Sequence, residues 1–161
     1  MNDFLVAEAG IRELQARYTN AVWRKDFAAF ADCFAEDGEW RIAGMVLRGG
    51  GECRTFLEGI FGDLDRVRMT MQPPLLQVNG DTAIGRTEVI EHNISKDRKR
   101  NLAIGEYYDR FVRIGDQWKF AWHYYQLYYL GPPDMSGAFY EIRDYGPPFA
   151  MPPADEPPQK L

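Results

Sequence analysis

The chain has 161 residues, 45% of them apolar and 27% charged, the make-up of one globular domain able to bury roughly two-thirds of its unfolded surface. A net charge of −5 supplies no basic field for displacing counterions, so neither nucleic acid nor an anionic membrane is expected as a partner. Aromatic residues reach 14%, rich for so short a chain, and they must be packed somewhere.

Ile11, Leu14, Tyr18 and Val22 recur at helical spacing and predict an amphipathic helix over about residues 4–24. Asp26 is a candidate N-cap for a second helix whose buried face is Phe27, Phe30, Ala31 and Phe34, with Glu36-Asp37-Gly38 as its stop. Cys33 lies in that apolar stripe and reads as core. Cys33 and Cys53 have neither CxxC spacing nor companion histidines, so no disulfide framework and no metal site is expected. Glu39 to Leu47 alternates as a strand, and Gly49-Gly50-Gly51 breaks the chain before a third helical stripe of Phe56, Leu57, Ile60 and Phe61.

Strands follow. Asn79-Gly80 is a strong hairpin signal, and Gly115-Asp116 joins 102–114 to 117–130 in the same way. The sequence therefore predicts an α+β domain over residues 1–130, with helices first and a long antiparallel sheet after. From Gly131 onward the prolines come in pairs, at 132–133, 147–148, 152–153 and 157–158. Such pairs fit neither a helix nor a paired strand, so residues 131–161 are expected as an extended tail. Phe139, Tyr140, Tyr145 and Phe149 suggest that 131–150 dock on the domain or on a second subunit, with the last ten residues loose. The run Lys96 to Arg100 reads as a solvated hairpin tip and His92 beside it as exposed. With no basic-then-apolar leader and no membrane-length apolar run in view, a cytoplasmic protein is the expectation.

Counting outward from a two-residue turn at Gly115-Asp116 sets Arg110 opposite Ala121, Tyr108 opposite His123 and Glu106 opposite Tyr125. One face would then carry Glu106, Tyr108, His123 and Tyr125, and the other Tyr107, Asp109, Phe111, Phe120, Trp122, Tyr124 and Tyr128. Large aromatics on both faces need cover on both, so helices on one side and a second subunit's sheet on the other predict a homodimer. Titratable groups in an apolar concavity make His123 a candidate acid or base, Glu106 its partner, and Tyr108 or Tyr125 a hydrogen-bond donor. A lone histidine on a strand is more often hydrogen-bonded in place than catalytic, and Glu106 with Arg110 reads as well as a plain structural ion pair.

Three segments, RELQARYTNAVWRKDFAAFADCFAEDGEW, LLQVNGDTA and YYDRFVRIGDQWKFAWHY, resemble in order and spacing the SnoaL-like branch of the nuclear transport factor 2 (NTF2)-like superfamily over about residues 5–130. The resemblance implies a cystatin-like conical barrel, with three helices packed on a curved antiparallel sheet around a deep pocket, and frequent dimerisation. Its members include ketosteroid isomerases, scytalone dehydratases, a hexachlorocyclohexane dehydrochlorinase and dioxygenase small subunits, so fold alone gives no function. The dehydratase-like members pair an aspartate near the end of the first helix with a histidine on the strand after the third helix. Those positions fall here on Trp23 and on Thr70, or on Met69 if the strand slips by one. None of these side chains supports such proton transfer. The basic residue that the dehydrochlorinase carries on its final strand corresponds to His123. Two functions are expected to compete. One is a cofactor-free lyase or isomerase acting on a small aromatic or polycyclic molecule through His123, Glu106 and Tyr108. The other is a non-catalytic binding or dimerisation module with Tyr18, Trp23, Trp40, Thr70, Met71 and Tyr125 around the pocket. A dioxygenase small-subunit role is a third.

Overall fold

The computed structural model describes residues 2–161. The elements are α1 (Asp3–Arg24), α2 (Phe27–Ala31), β1 (Phe34–Ile42), β2 (Met45–Arg48), α3 (Gly49–Asp63), β3 (Leu64–Met71), β4 (Leu75–Asn79), β5 (Thr82–Ser95), β6 (Arg100–Ile114) and β7 (Gln117–Gly131). The seven strands form one curved sheet in the order β2-β1-β7-β6-β5-β3, with β4 on β5. Among the described residues only the β1–β7 pairing is parallel. The α+β architecture expected from the order of elements is the one observed.

α1 starts where the Asn2 side chain accepts the Phe4 N–H at 3.0 Å and stops at Lys25, whose φ of 57° turns the chain out of the helix. Its buried stripe of Ile11, Leu14, Tyr18 and Val22 lies inside the curve of the sheet. α2 is capped as expected, with the Asp26 carboxylate accepting the Ala29 N–H at 3.0 Å. It ends early, however. Phe34 opens a strand instead of closing a helical face, because the Cys33 carbonyl accepts the Phe120 N–H at 2.9 Å and β1 is drawn alongside β7. Glu36-Asp37-Gly38 is therefore strand with a bulge, and no helix stop. The single strand expected over 39–47 is a hairpin that turns at Ala43-Gly44, with Ala43 at φ 51°. The glycine triplet opens α3 rather than breaking the chain before it. A side chain at Gly50 would meet the Ala31 carbonyl at 2.4 Å, so glycine lets α3 close on α2.

Two bulges in the β6–β7 pair decide what the sheet presents. Ile114 faces Gln117 and Phe111 faces Phe120 as counted from the turn, but Ala121 is then an extra residue on β7 and the register moves by one. Arg110 thus faces Trp122, Tyr108 faces Tyr124, and His123 faces Asp109. A second bulge at Tyr128 moves the register by one more residue, so that Ile104 faces Tyr129, and returns the alternation of faces to that counted from the turn. The inner face carries Tyr107, Asp109, Phe111, Phe120, His123 and Tyr125, whereas Glu106, Tyr108, Trp122 and Tyr124 are on the outer face.

The outer aromatics are covered within the chain. The tail crosses them, with Tyr145 and Met151 packed on Tyr108, Trp122 and Tyr124. The sheet's side chains grip its backbone: Arg110 donates to the Pro152 carbonyl at 2.9 Å, the Trp122 indole to Ala154 at 3.1 Å, and Arg41 to Glu156 at 2.7 Å. The last ten residues are docked, contrary to expectation. Glu156 is buried, and the Gln159 amide bridges the Leu127 N–H and C=O at 2.6 and 3.1 Å. The packing need that predicted a partner's sheet is met here by residues 132–161.

The inner face packs tightly at Gly105, where a side-chain carbon would come within 2.6 Å of the Tyr125 ring. Gly105→Ala is expected to push Tyr125 aside and to cost about 1–3 kcal/mol. Urea unfolding checks this, with a lower midpoint at an unchanged slope as the expected result.

Candidate functional site

Inside the curve lies a cavity of about 310 Å³, walled by α1, α3, β1, β3, β5, β6 and β7. Its aromatic wall is Tyr18, Trp40, Phe56, Tyr107 and Tyr125; the rest is aliphatic apart from Glu91 and Asn93. Leu161 of the tail stands at its rim beside Ala43 and Leu130, and the Gln159 carbonyl accepts the Gly44 N–H at 2.9 Å.

Glu91 is the titratable group of this cavity, and its place follows from strand parity. Along β5, Ala83, Gly85, Thr87, Val89 and Asn93 are buried, and Glu91 shares their face. It sits across from Met69 on β3 and Ala103 on β6, two apolar neighbours. Burial pushes its carboxyl up from 4.5 to about 7, with the Asn93 side chain partly opposing the shift by hydrogen bonding. The remaining exposure of Glu91 is toward the cavity it lines. Burial likewise raises the phenols of Tyr18, Tyr107 and Tyr125 well above their ordinary range, so all three are neutral donors near pH 7. The Tyr18 and Tyr107 hydroxyls lie 3.3 Å apart. Two polar atoms of the wall have no partner, Asn93 Oδ1 and Trp40 Nε1.

His123 lies behind this wall. It is fully buried, its Nδ1 is hydrogen-bonded to Asp109 Oδ1, and Asp109 is fully buried as well. Burial raises the Asp109 carboxyl, and the His123 charge and hydrogen bond oppose that rise. The imidazole is stacked on Tyr107 with centroids 3.8 Å apart and planes 8° apart, so a cavity-lining ring stands in front of it. His123 Nε2 and Asp109 Oδ2 have no hydrogen-bond partner.

Of the residues singled out in the sequence, Tyr18, Trp40 and Tyr125 line the cavity. The others are elsewhere. Glu106 pairs on the outer face with Arg86 at 2.9 Å and with the Tyr128 hydroxyl, so it cannot assist His123. Tyr108 belongs to the same outer cluster and packs under Tyr145. Trp23 is 45% exposed, one residue round from the inward Val22, with the Arg68 guanidinium 5.6 Å from its ring centre. Thr70 is exposed because Met69 takes the inward position on β3, and Met71 packs on the core clusters. Glu91 and Asp109 were missed as site residues. The run of small and apolar residues at alternate positions of β5 was the signal for the first. Among the described residues no group of three His, Cys, Asp or Glu side chains is arranged to hold a metal ion.

A model of the SnoaL-like domain family matches residues 3–122. The chain belongs to that family, within the NTF2-like superfamily. Comparison with curated proteins finds no match. Among solved structures, a protein of unknown function from Mycobacterium tuberculosis is 28% identical, with 78% of this chain and 74% of that one covered and a TM-score of 0.72. A putative scytalone dehydratase from Novosphingobium aromaticivorans is 22% identical over 97% of this chain and 99% of its own, with a TM-score of 0.75. A hexachlorocyclohexane dehydrochlorinase is 18% identical over 91% and 97%, with a TM-score of 0.74. The last two likenesses speak for the fold.

Because the folded protein holds the Glu91 proton more tightly than the unfolded chain does, stability falls as pH rises from 4.5 to about 7 and stays lower above that. Glu91→Gln removes this loss. The variant is expected to exceed the wild type by on the order of 2–3 kcal/mol at pH 8 and to match it near pH 4.5, as read from thermal unfolding at both pH values. Asp109→Ala strips His123 of its partner and is expected to cost about 3–5 kcal/mol, measured by urea unfolding.

Proposed function

We propose that the cavity binds a small, largely apolar molecule and that Glu91 is the acid–base group of a cofactor-free proton transfer of the isomerase or lyase kind. One observation carries this: a carboxyl raised to about 7 faces an otherwise apolar cavity beside neutral phenols. A general base works best when its pKa lies near the working pH, and burial supplies that match here. Glu91 would take a proton from carbon next to a carbonyl. The Tyr107 hydroxyl, held by Tyr18, would donate to the oxygen on which charge develops. His123 is reassigned from base to positioning residue, since its ring supports Tyr107 and no open space reaches it.

A non-catalytic binding module is the competing reading, favoured by the aliphatic majority of the lining. A homodimer is proposed only through the part of the outer face that the tail leaves open, around Ile84, Glu88 and Ile90 on β5.

The two readings separate without knowledge of the substrate. 2-Tetralone, a ketone with acidic C–H bonds, is incubated in D₂O with the protein and its deuterium uptake followed by NMR. Wild type is expected to accelerate uptake, and Glu91→Gln to lose about 10²–10³ of that rate while still showing a thermal shift with the ketone. Binding without any acceleration by the wild type would contradict the catalytic reading.

A further inference from the structure

The polar groups of the cavity are unbalanced in sign. Glu91 and the unpartnered Asn93 Oδ1, in a residue nine-tenths buried, are acceptors. None of the lining residues is Lys, Arg or His. The fixed donor left over is the Trp40 indole N–H, while the phenols of Tyr18, Tyr107 and Tyr125 can turn either way. Aromatic rings stand on several sides of the same space, and the face of a ring attracts a cation and repels an anion. An anionic ligand would meet a carboxyl with no counter-charge, which is costly among largely apolar walls. A cation would find a carboxylate, a free amide oxygen and ring faces together.

Resting on the proposal that this cavity is the ligand site, and not on Glu91 acting as a base, we infer that it takes ammonium compounds, with Glu91 as their counter-ion: a protonated amine held by Glu91 and Asn93 among Tyr18, Tyr107 and Tyr125, with a small apolar body against Ile42, Leu127 and Leu130. The aliphatic lining matches the body as the acceptors and rings match the head. The pH dependence follows from Glu91, because an ammonium pairs with the ionised carboxylate and not with the acid. The groups around Glu91 are Tyr18 on α1, Tyr107 on β6 and Tyr125 on β7, all neutral between pH 6 and 8. Met69 faces it from β3, and α3 brings Leu57 and Ile60, with the Cys53 thiol behind them pushed up to about 12. The Asp109–His123 pair lies beyond Tyr107.

The test compares 2-phenylethylamine with n-propylbenzene, which differ by an ammonium in place of a methyl group, by calorimetric titration at pH 6, 7 and 8. The amine stays protonated throughout, its pKa lying near 10. It is expected to bind about tenfold or more tightly than the hydrocarbon at pH 8. Its Kd should fall about tenfold between pH 6 and 8 as Glu91 ionises. In Glu91→Gln both advantages should vanish, while unchanged hydrocarbon binding shows that the cavity is intact. If the hydrocarbon binds and the amine binds more weakly, or with no pH dependence, the ammonium inference is overturned and the cavity remains a ligand site. If neither binds, both proposals fail.

Discussion

One extra residue in β7, the bulge at Ala121, governs what this domain can do. Without it His123 would stand on the outer face with Trp122 turned inward, and the aromatic core around Tyr18, Phe34 and Phe120 would have no imidazole in it. With it, His123 meets Asp109 inside the sheet and each becomes the other's partner. A buried pair of this kind gains little over an apolar core, but it is destructive to break, because the survivor is left without compensation in a medium that cannot solvate it. The pair therefore locks the register of β6 against β7. It also fixes the Tyr107 ring that stacks on the imidazole and faces the cavity.

Inward placement of His123 withdraws it from solvent and ligand alike, so the cavity depends on another group for chemistry. In the function proposed here Glu91 fills that role, at a cost to stability. Its neighbours across the strands are Met69 and Ala103, neither of which offsets the desolvation of its charge, and its proton is held to about pH 7 as a result. A site that opposes folding in the pH range where it would act is a familiar sign of function, since a purely structural position would carry an apolar side chain. The tail serves the other side of the sheet. It caps Tyr108, Trp122 and Tyr124 with its own prolines and aromatics, and in passing the β1–β2 turn it brings Leu161 to the rim of the cavity.

The sequence carried much of this architecture and little of the site. Helical spacing marked the α1 stripe, Asp26 marked the start of α2, and Gly80 and Gly115 marked their turns, since each rests on contacts within a few residues. The shorter α2 and the β1–β2 hairpin were missed because β7, nearly ninety residues later, captures Phe34 and its neighbours. The inward Val22 already implied that Trp23 points away, and the parity of β5 already implied an inward Glu91. Nothing local marked Ala121 as a bulge. Alternation from the turn is correct for four residues and inverted beyond them, which exchanged Glu106 for Asp109 as the partner of His123. The extended tail was legible from its proline pairs, but its grip on the sheet depends on Arg41, Arg110 and Trp122; the same bulge turns Trp122 outward, while Arg110 and Arg41 follow from alternation with the inward Phe111 and Trp40.

The claim on which this account turns is that the cavity holds one carboxyl poised near neutrality while the histidine is spent on structure. Titration of the protein's ¹³C-labelled glutamate side chains by NMR tests it directly. The expected result is one glutamate carboxyl with its midpoint near pH 7, absent from Glu91→Gln. A full set of glutamates all titrating below about pH 5 would contradict it.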